Sequence, residues 1–190
     1  MKMINNSLPL YIITGGPGAG KTTLLNEFDH IGFTTAAEEG RRIIKEQLSL
    51  NGDGLPWINK EYFAKLMFNA SVKIYQQMIK KKGADPVFFD RGIIDTIGYL
   101  KLENIPIPKE MDIIAREMEY NRNVFILPPW KEIYENDSER KQTLKVAEQT
   151  FECMYETYHG YGYHMIEVPK LTVYQRIRFI LDTVENCCKS

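Results

Sequence analysis

The sequence predicts an α/β fold: a three-layer sandwich with a five-stranded parallel sheet and helices on both faces. Three observations lead there. Short β-branched or aromatic runs alternate with segments of helical periodicity along all 190 residues, the pattern of βαβ units. The clearest strand, Leu10–Thr14, is bounded by Pro9 and Gly15 and reads as buried on both faces. A glycine-rich turn then leads directly into a helix.

The remaining elements follow in order. Lys21–His30 is a helix with Leu24, Leu25 and Phe28 inward. Gly32–Ala37 is a weaker second strand and Glu39–Leu50 a second helix, closed by the turn cluster Asn51–Pro56. Asn59 caps a long helix reaching about Lys82, whose apolar face is Phe63, Leu66, Met67, Ala70, Ile74 and Met78. Lys80, Lys81 and Lys82 suit the negative end of its dipole. Val87–Phe89 is a third strand that ends at Asp90. Asp95–Leu102 and Lys109–Asn121 read as helices, and Val124–Leu127 as a fourth strand stopped by Pro128-Pro129. A helix over Glu139–Tyr158 and a fifth strand over Tyr163–Val168 come next. Thr172 and Gln175 form a capping box for the last helix. The whole chain, 1–190, reads as a single domain, with a small helical lid at about 130–145.

Composition narrows the function. Hydrophobic residues make up 44% and charged residues 26%, and 24 Lys plus Arg against 25 Asp plus Glu leave a net charge of −1. That balance disfavours a general nucleic-acid or acidic-membrane binder. Cys153, Cys187 and Cys188 are too few and too clustered for a disulfide framework and read as reduced thiols. No apolar run approaches the roughly 18 residues of a membrane helix. The expectation is a cytoplasmic monomer or homodimer with no membrane and no nucleic-acid partner.

Gly15-Gly16-Pro17-Gly18-Ala19-Gly20-Lys21-Thr22 fits G-x-x-x-x-G-K-[ST] in full, in the strand-to-helix context the motif requires. Glycines let consecutive N–H groups turn inward on an anion, and the helix N-terminus adds partial positive charge. Lys21 is placed for the β- and γ-phosphates, the Thr22 hydroxyl for Mg²⁺, and Thr23 for the α-phosphate. ATP is favoured over GTP. Asn59-Lys60-Glu61-Tyr62 begins like a guanine motif but lacks its aspartate, and it opens a helix instead of following a strand.

Asp90 directly follows a buried strand, and ligands of open α/β sheets bind at such carboxyl ends. It is a candidate for Mg²⁺ or for the proton of an acceptor hydroxyl. Arg91 beside it suits an anionic or polyol acceptor, and Asp95 either joins that site or stabilises the first helical turn. Glu38 is a candidate general base or hydroxyl ligand, and Arg41, or Arg42 next to it, a substrate anchor. Arg140 lies on the lid segment, where an arginine neutralises charge on the transferring phosphoryl group. The leading reading is a kinase acting on a small polar, nucleoside- or sugar-like hydroxyl acceptor. The alternative is an ATP-hydrolysing switch with a protein partner.

Several stretches together resemble the AAA-type P-loop ATP-binding domains related to nicotinamide riboside kinase and deoxynucleoside kinases. They are Gly15–Phe28, Glu38–Arg41, Phe88–Leu100, Pro128–Lys141 and Gly162–Leu181. The resemblance implies a kinase-like strand order, Mg²⁺-dependent phosphoryl transfer and a mobile lid carrying Arg140. It also implies that Pro169–Leu171 borders the adenine.

Overall fold

Five strands pair in parallel in the order β2 (Thr34–Ala36), β3 (Val87–Asp90), β1 (Leu10–Gly15), β4 (Asn123–Leu127), β5 (His164–Glu167). The computed structural model describes residues 8–81, 83, 85–134 and 144–189. Between the strands run α1 (Lys21–His30), α2 (Gly40–Ser49), α3 (Lys60–Lys81), α4 (Ile93–Leu102), α5 (Lys109–Glu117), α6 (Lys131–Tyr134) and α7 (Leu144–Gly160), with α8 (Val173–Lys189) last. The expected three-layer α/β sandwich is the observed one.

Alternation along the central strands builds two cores. Leu10, Ile12, Val87, Phe89, Val124 and Ile126 face α3, α4, α5 and α7. Tyr11, Ile13, Phe88, Phe125 and Leu127 face α1 and α8, where Phe28 stacks on Phe88 with ring centroids 4.1 Å apart. Both sides are apolar because helices cover both. A smaller cluster of Ile43, Phe63 and Ala70, with Met67 and Tyr99 packed on it, joins α2, α3 and α4.

The caps form as their residue types dictate. Asn59 Oδ1 accepts the Tyr62 N–H at 3.0 Å. The Thr172 N–H donates to Gln175 Oε1 at 3.2 Å while the Gln175 N–H donates to Thr172 Oγ1 at 3.4 Å.

Some boundaries differ from expectation. α4 starts two residues early, at Ile93, because Asp95 reaches back to the Gly92 N–H at 2.7 Å and closes the first turn. α5 stops at Glu117 because the chain straightens to dock beside β1. There Tyr120 packs edge-on against Tyr75 and Phe89, and the Asn121 N–H donates to Leu10 O at 2.8 Å. β2 is three residues long at the sheet edge, which releases Ala37–Glu39 toward the carboxyl ends of the strands. Most of the lid segment, including Arg140, lies outside the described residues, as does Lys82. Among the described residues no helix is long and apolar enough to cross a membrane.

Candidate functional site

Gly15 ends β1 with φ 137°, and a Cβ there would stand 2.6 Å from the Leu127 carbonyl oxygen. Only glycine lets the chain turn while β1 stays paired with β4. The loop Gly15–Gly20 runs into α1, where Thr22 and Thr23 are exposed and Lys21 is 7% exposed. Lys21 Nζ donates to the carbonyls of Gly15 and Gly16, each at 2.8 Å, so the ammonium closes the loop. Its pKa falls to about 7, first through burial and next through the nearby Arg91 charge, with Asp90, Glu38 and Asp95 opposing.

Asp90 stands opposite Ile13, one strand over from the loop. Burial raises its pKa to about 6 against the pull of Lys21 and Arg91. Its Oδ1 is buried without a hydrogen-bond partner among the described residues. A buried orphan acceptor is costly and points to a missing partner. Mg²⁺ characteristically takes one or two protein oxygens and fills the rest of its shell with water and phosphate. The Thr22 hydroxyl and Asp90 suit that ion by chemistry and by placement at the end of adjacent elements.

Arg91 takes φ 68°, a left-handed conformation uncommon outside glycine, directly after β3. The turn brings Nε to 3.3 Å from Glu38 Oε1 and Nη1 to 3.4 Å from Asp95 Oδ1. Burial works against its charge, but Glu38, Asp95 and Asp90 outweigh it and raise the pKa. Asp95 is 5% exposed and fully engaged. It accepts from Thr14 Oγ1, from the Gly92 N–H at 2.7 Å and from Tyr158 Oη at 2.5 Å. Its oxygens are spent on holding Arg91, α4 and α7 together. Arg41 is exposed at the mouth of the same cleft, whereas Arg42 pairs with Glu39 and Glu46 on the surface.

The structure thus brings the loop, Glu38, Arg41, Asp90, Arg91 and Asp95 to one cleft of about 770 Å³. The apolar part of its lining includes Phe63, Met67 and Tyr99. Tyr99 Oη is buried without a hydrogen-bond partner among the described residues, and burial, with the Glu103 charge next, raises its pKa to about 12. Arg140 lies outside the described residues. Three participants escaped sequence reasoning: Thr14, Tyr158 and Arg176. Thr14 is a polar residue closing an apolar strand, which is a usable signal. Tyr158 and Arg176 sit at helix positions whose spacing gives no sign of a distant partner.

Residues 10–176 match the family model described as an AAA domain. No curated protein matches the chain. Solved structures share the fold. Deoxyadenosine kinase from M. mycoides with dCMP and dCDP bound is 18% identical with a TM-score of 0.60, over 93% of this chain and 99% of that one. Thymidylate kinase from Candida albicans is 14% identical at TM-score 0.65, over 93% and 91% of the two chains. NadR in complex with NR is 19% identical at TM-score 0.61, over 95% of this chain and 52% of NadR. With 167 of its 190 residues inside the family model, a complete phosphate-binding loop and this sheet order, the chain belongs to the AAA domain family of P-loop proteins.

Proposed function

We propose that the chain is a kinase that transfers the γ-phosphoryl group of Mg·ATP to a hydroxyl of a small, nucleoside-like acceptor. The observation that carries this reading is one cleft that gathers both a phosphate-binding loop and an acid–arginine cluster. Lys21 of the loop, Asp90, whose buried Oδ1 has no hydrogen-bond partner among the described residues, and the Glu38–Arg91 pair all line it.

The loop residues Gly15, Gly16, Pro17, Gly18, Ala19 and Gly20, with Lys21, Thr22 and Thr23, hold the phosphates. Thr22 and Asp90 hold the magnesium, which when bound draws charge off the transferring group. Glu38 accepts the acceptor's hydroxyl proton as its oxygen attacks the γ-phosphorus, and the bond to the β–γ bridging oxygen breaks to release ADP. Arg91, steadied by Asp95, orients Glu38 and the hydroxyl. Arg41 contributes at the mouth, and Arg140 enters from the lid segment. Half-buried Met67 and Tyr99, packed on the buried Phe63, favour a ring-bearing acceptor over a bare sugar, since a base would cover apolar surface that a sugar cannot. Structures sharing this fold include a deoxyadenosine kinase and a protein holding NR, which supports the nucleoside class.

Radiolabelled ATP offered with a panel of nucleosides, nucleoside monophosphates and sugars tests the reading. Label is expected on a nucleoside. Phosphate released without an acceptor and unchanged across the panel would replace the kinase with an ATP-hydrolysing switch.

A further inference from the structure

Arg176 lies in the second turn of α8, directly behind the glycine loop. It is 3% exposed, and burial lowers its pKa. A buried cation in that position is expensive and calls for a purpose. Its Nη2 donates to the Ala19 carbonyl at 3.0 Å. Its Nη1 stands 3.1 Å from where a Cβ on Gly20 would be, so the guanidinium lies against a residue whose φ of 81° already excludes most side chains.

The geometry of the peptide group supplies the consequence. In a trans peptide the C=O and the following N–H point in opposite directions, and the chain contains no cis bond among the described residues. An arginine that draws the Ala19 carbonyl toward α8 therefore turns the Gly20 N–H the other way, into the hollow the loop encloses. A charge-assisted bond of this kind is about twice as strong as a neutral one and resists rotation of the peptide.

We propose that Arg176 is a positioning residue for phosphate: it locks the Ala19–Gly20 peptide with its N–H facing the bound phosphate chain. This rests on the nucleotide reading of the loop and adds to it a second-layer determinant of affinity supplied from the other end of the chain.

Calorimetric binding of ADP and of inorganic tripolyphosphate to wild type, Arg176→Gln and Arg176→Lys tests it. Arg176→Gln is expected to weaken both probes equally, roughly 10–100-fold, and to raise the KM for ATP by a similar factor with a smaller fall in kcat. Arg176→Lys keeps the charge without the planar fork and is expected to fall between, roughly 3–10-fold weaker than wild type. Wild-type affinity for both probes in Arg176→Gln overturns the proposal, as does a loss confined to ADP, which would assign Arg176 to the base or ribose. Should Arg176→Gln not fold, Arg176→Lys decides, and wild-type affinity for both probes then overturns it. Wild-type protein that binds neither probe would overturn the nucleotide reading along with this one.

Discussion

Asp90 and Glu38 carry the same charge into the same cleft, yet their partners separate their roles. Glu38 faces the Arg91 guanidinium at 3.3 Å, whereas Asp90 keeps a buried oxygen with no hydrogen-bond partner among the described residues. Asp90→Asn should therefore weaken magnesium dependence and turnover together. Glu38→Gln should keep Mg·ADP affinity within about threefold while acceptor phosphorylation falls roughly 10²–10⁴-fold, the usual worth of a general base. Magnesium titrations of both activities check this, and exchanged phenotypes would exchange the roles. Lys21 offers a pH test. With a folded pKa of about 7 against 10.5 in the unfolded chain, the unfolded state binds the extra proton between those values. Stability from this group thus rises with pH through that window and is flat below it. Urea unfolding from pH 7 to pH 9 should show wild type gaining on Lys21→Met, and a constant difference would contradict the depressed pKa. Much of this site was readable from spacing. Lys21 and Thr22 follow from the loop motif and Asp90 from its place after an apolar strand. Tyr158 and Arg176 were not readable, because their partners lie 63 and 157 residues away.

Elements carry the next set of consequences. Asp95 joins β1, α4 and α7 through Thr14, Gly92 and Tyr158. Asp95→Ala leaves Glu38 as the remaining ion-pair partner of Arg91, removes the acceptor of two hydroxyls and of the Gly92 N–H, and should cost about 3–5 kcal/mol. Tyr158→Phe leaves the other bonds standing and should cost about 1 kcal/mol. Chemical denaturation of the two variants separates these values, and equal losses would mean that the Tyr158 bond accounts for all that Asp95 contributes. The segment between α6 and α7 carries Arg140. If Arg140 acts on the transferring group as proposed, Arg140→Ala lowers kcat far more than it weakens ADP binding. An unchanged kcat would place that arginine on the surface. Strand and helix types were legible from apolar runs and periodicity, but their ends were settled by side chains acting at a distance. Asp95 extended α4 backward, and Tyr120 and Asn121 ended α5 by docking against other elements.

For the whole molecule, nucleotide and fold are linked by mass action. A ligand at 100 times its Kd adds about 2.7 kcal/mol, which for a chain of this size corresponds to a Tm rise of about 5–10 °C. Mg·ADP should produce that rise in wild type, and Lys21→Ala should abolish it without unfolding the free protein. A full shift in the variant would remove Lys21 from phosphate binding. Two apolar layers flank the sheet and are shared by every central strand, so the loop's position is tied to the stability of the entire chain.

The apolar lining of the cleft is tied to that core less directly. Ile43, Phe63 and Ala70 form a cluster of their own, joined to the sheet-facing core through the other faces of α3 and α4. Substitutions confined to that cluster are expected to alter the cleft's lining while the loop and Asp95 keep their contacts. Ala64, Phe68 and Tyr75 of the same helix belong to the sheet-facing core, so an engineer seeking a new acceptor would randomise Met67 and Phe63 and leave those three and the loop untouched.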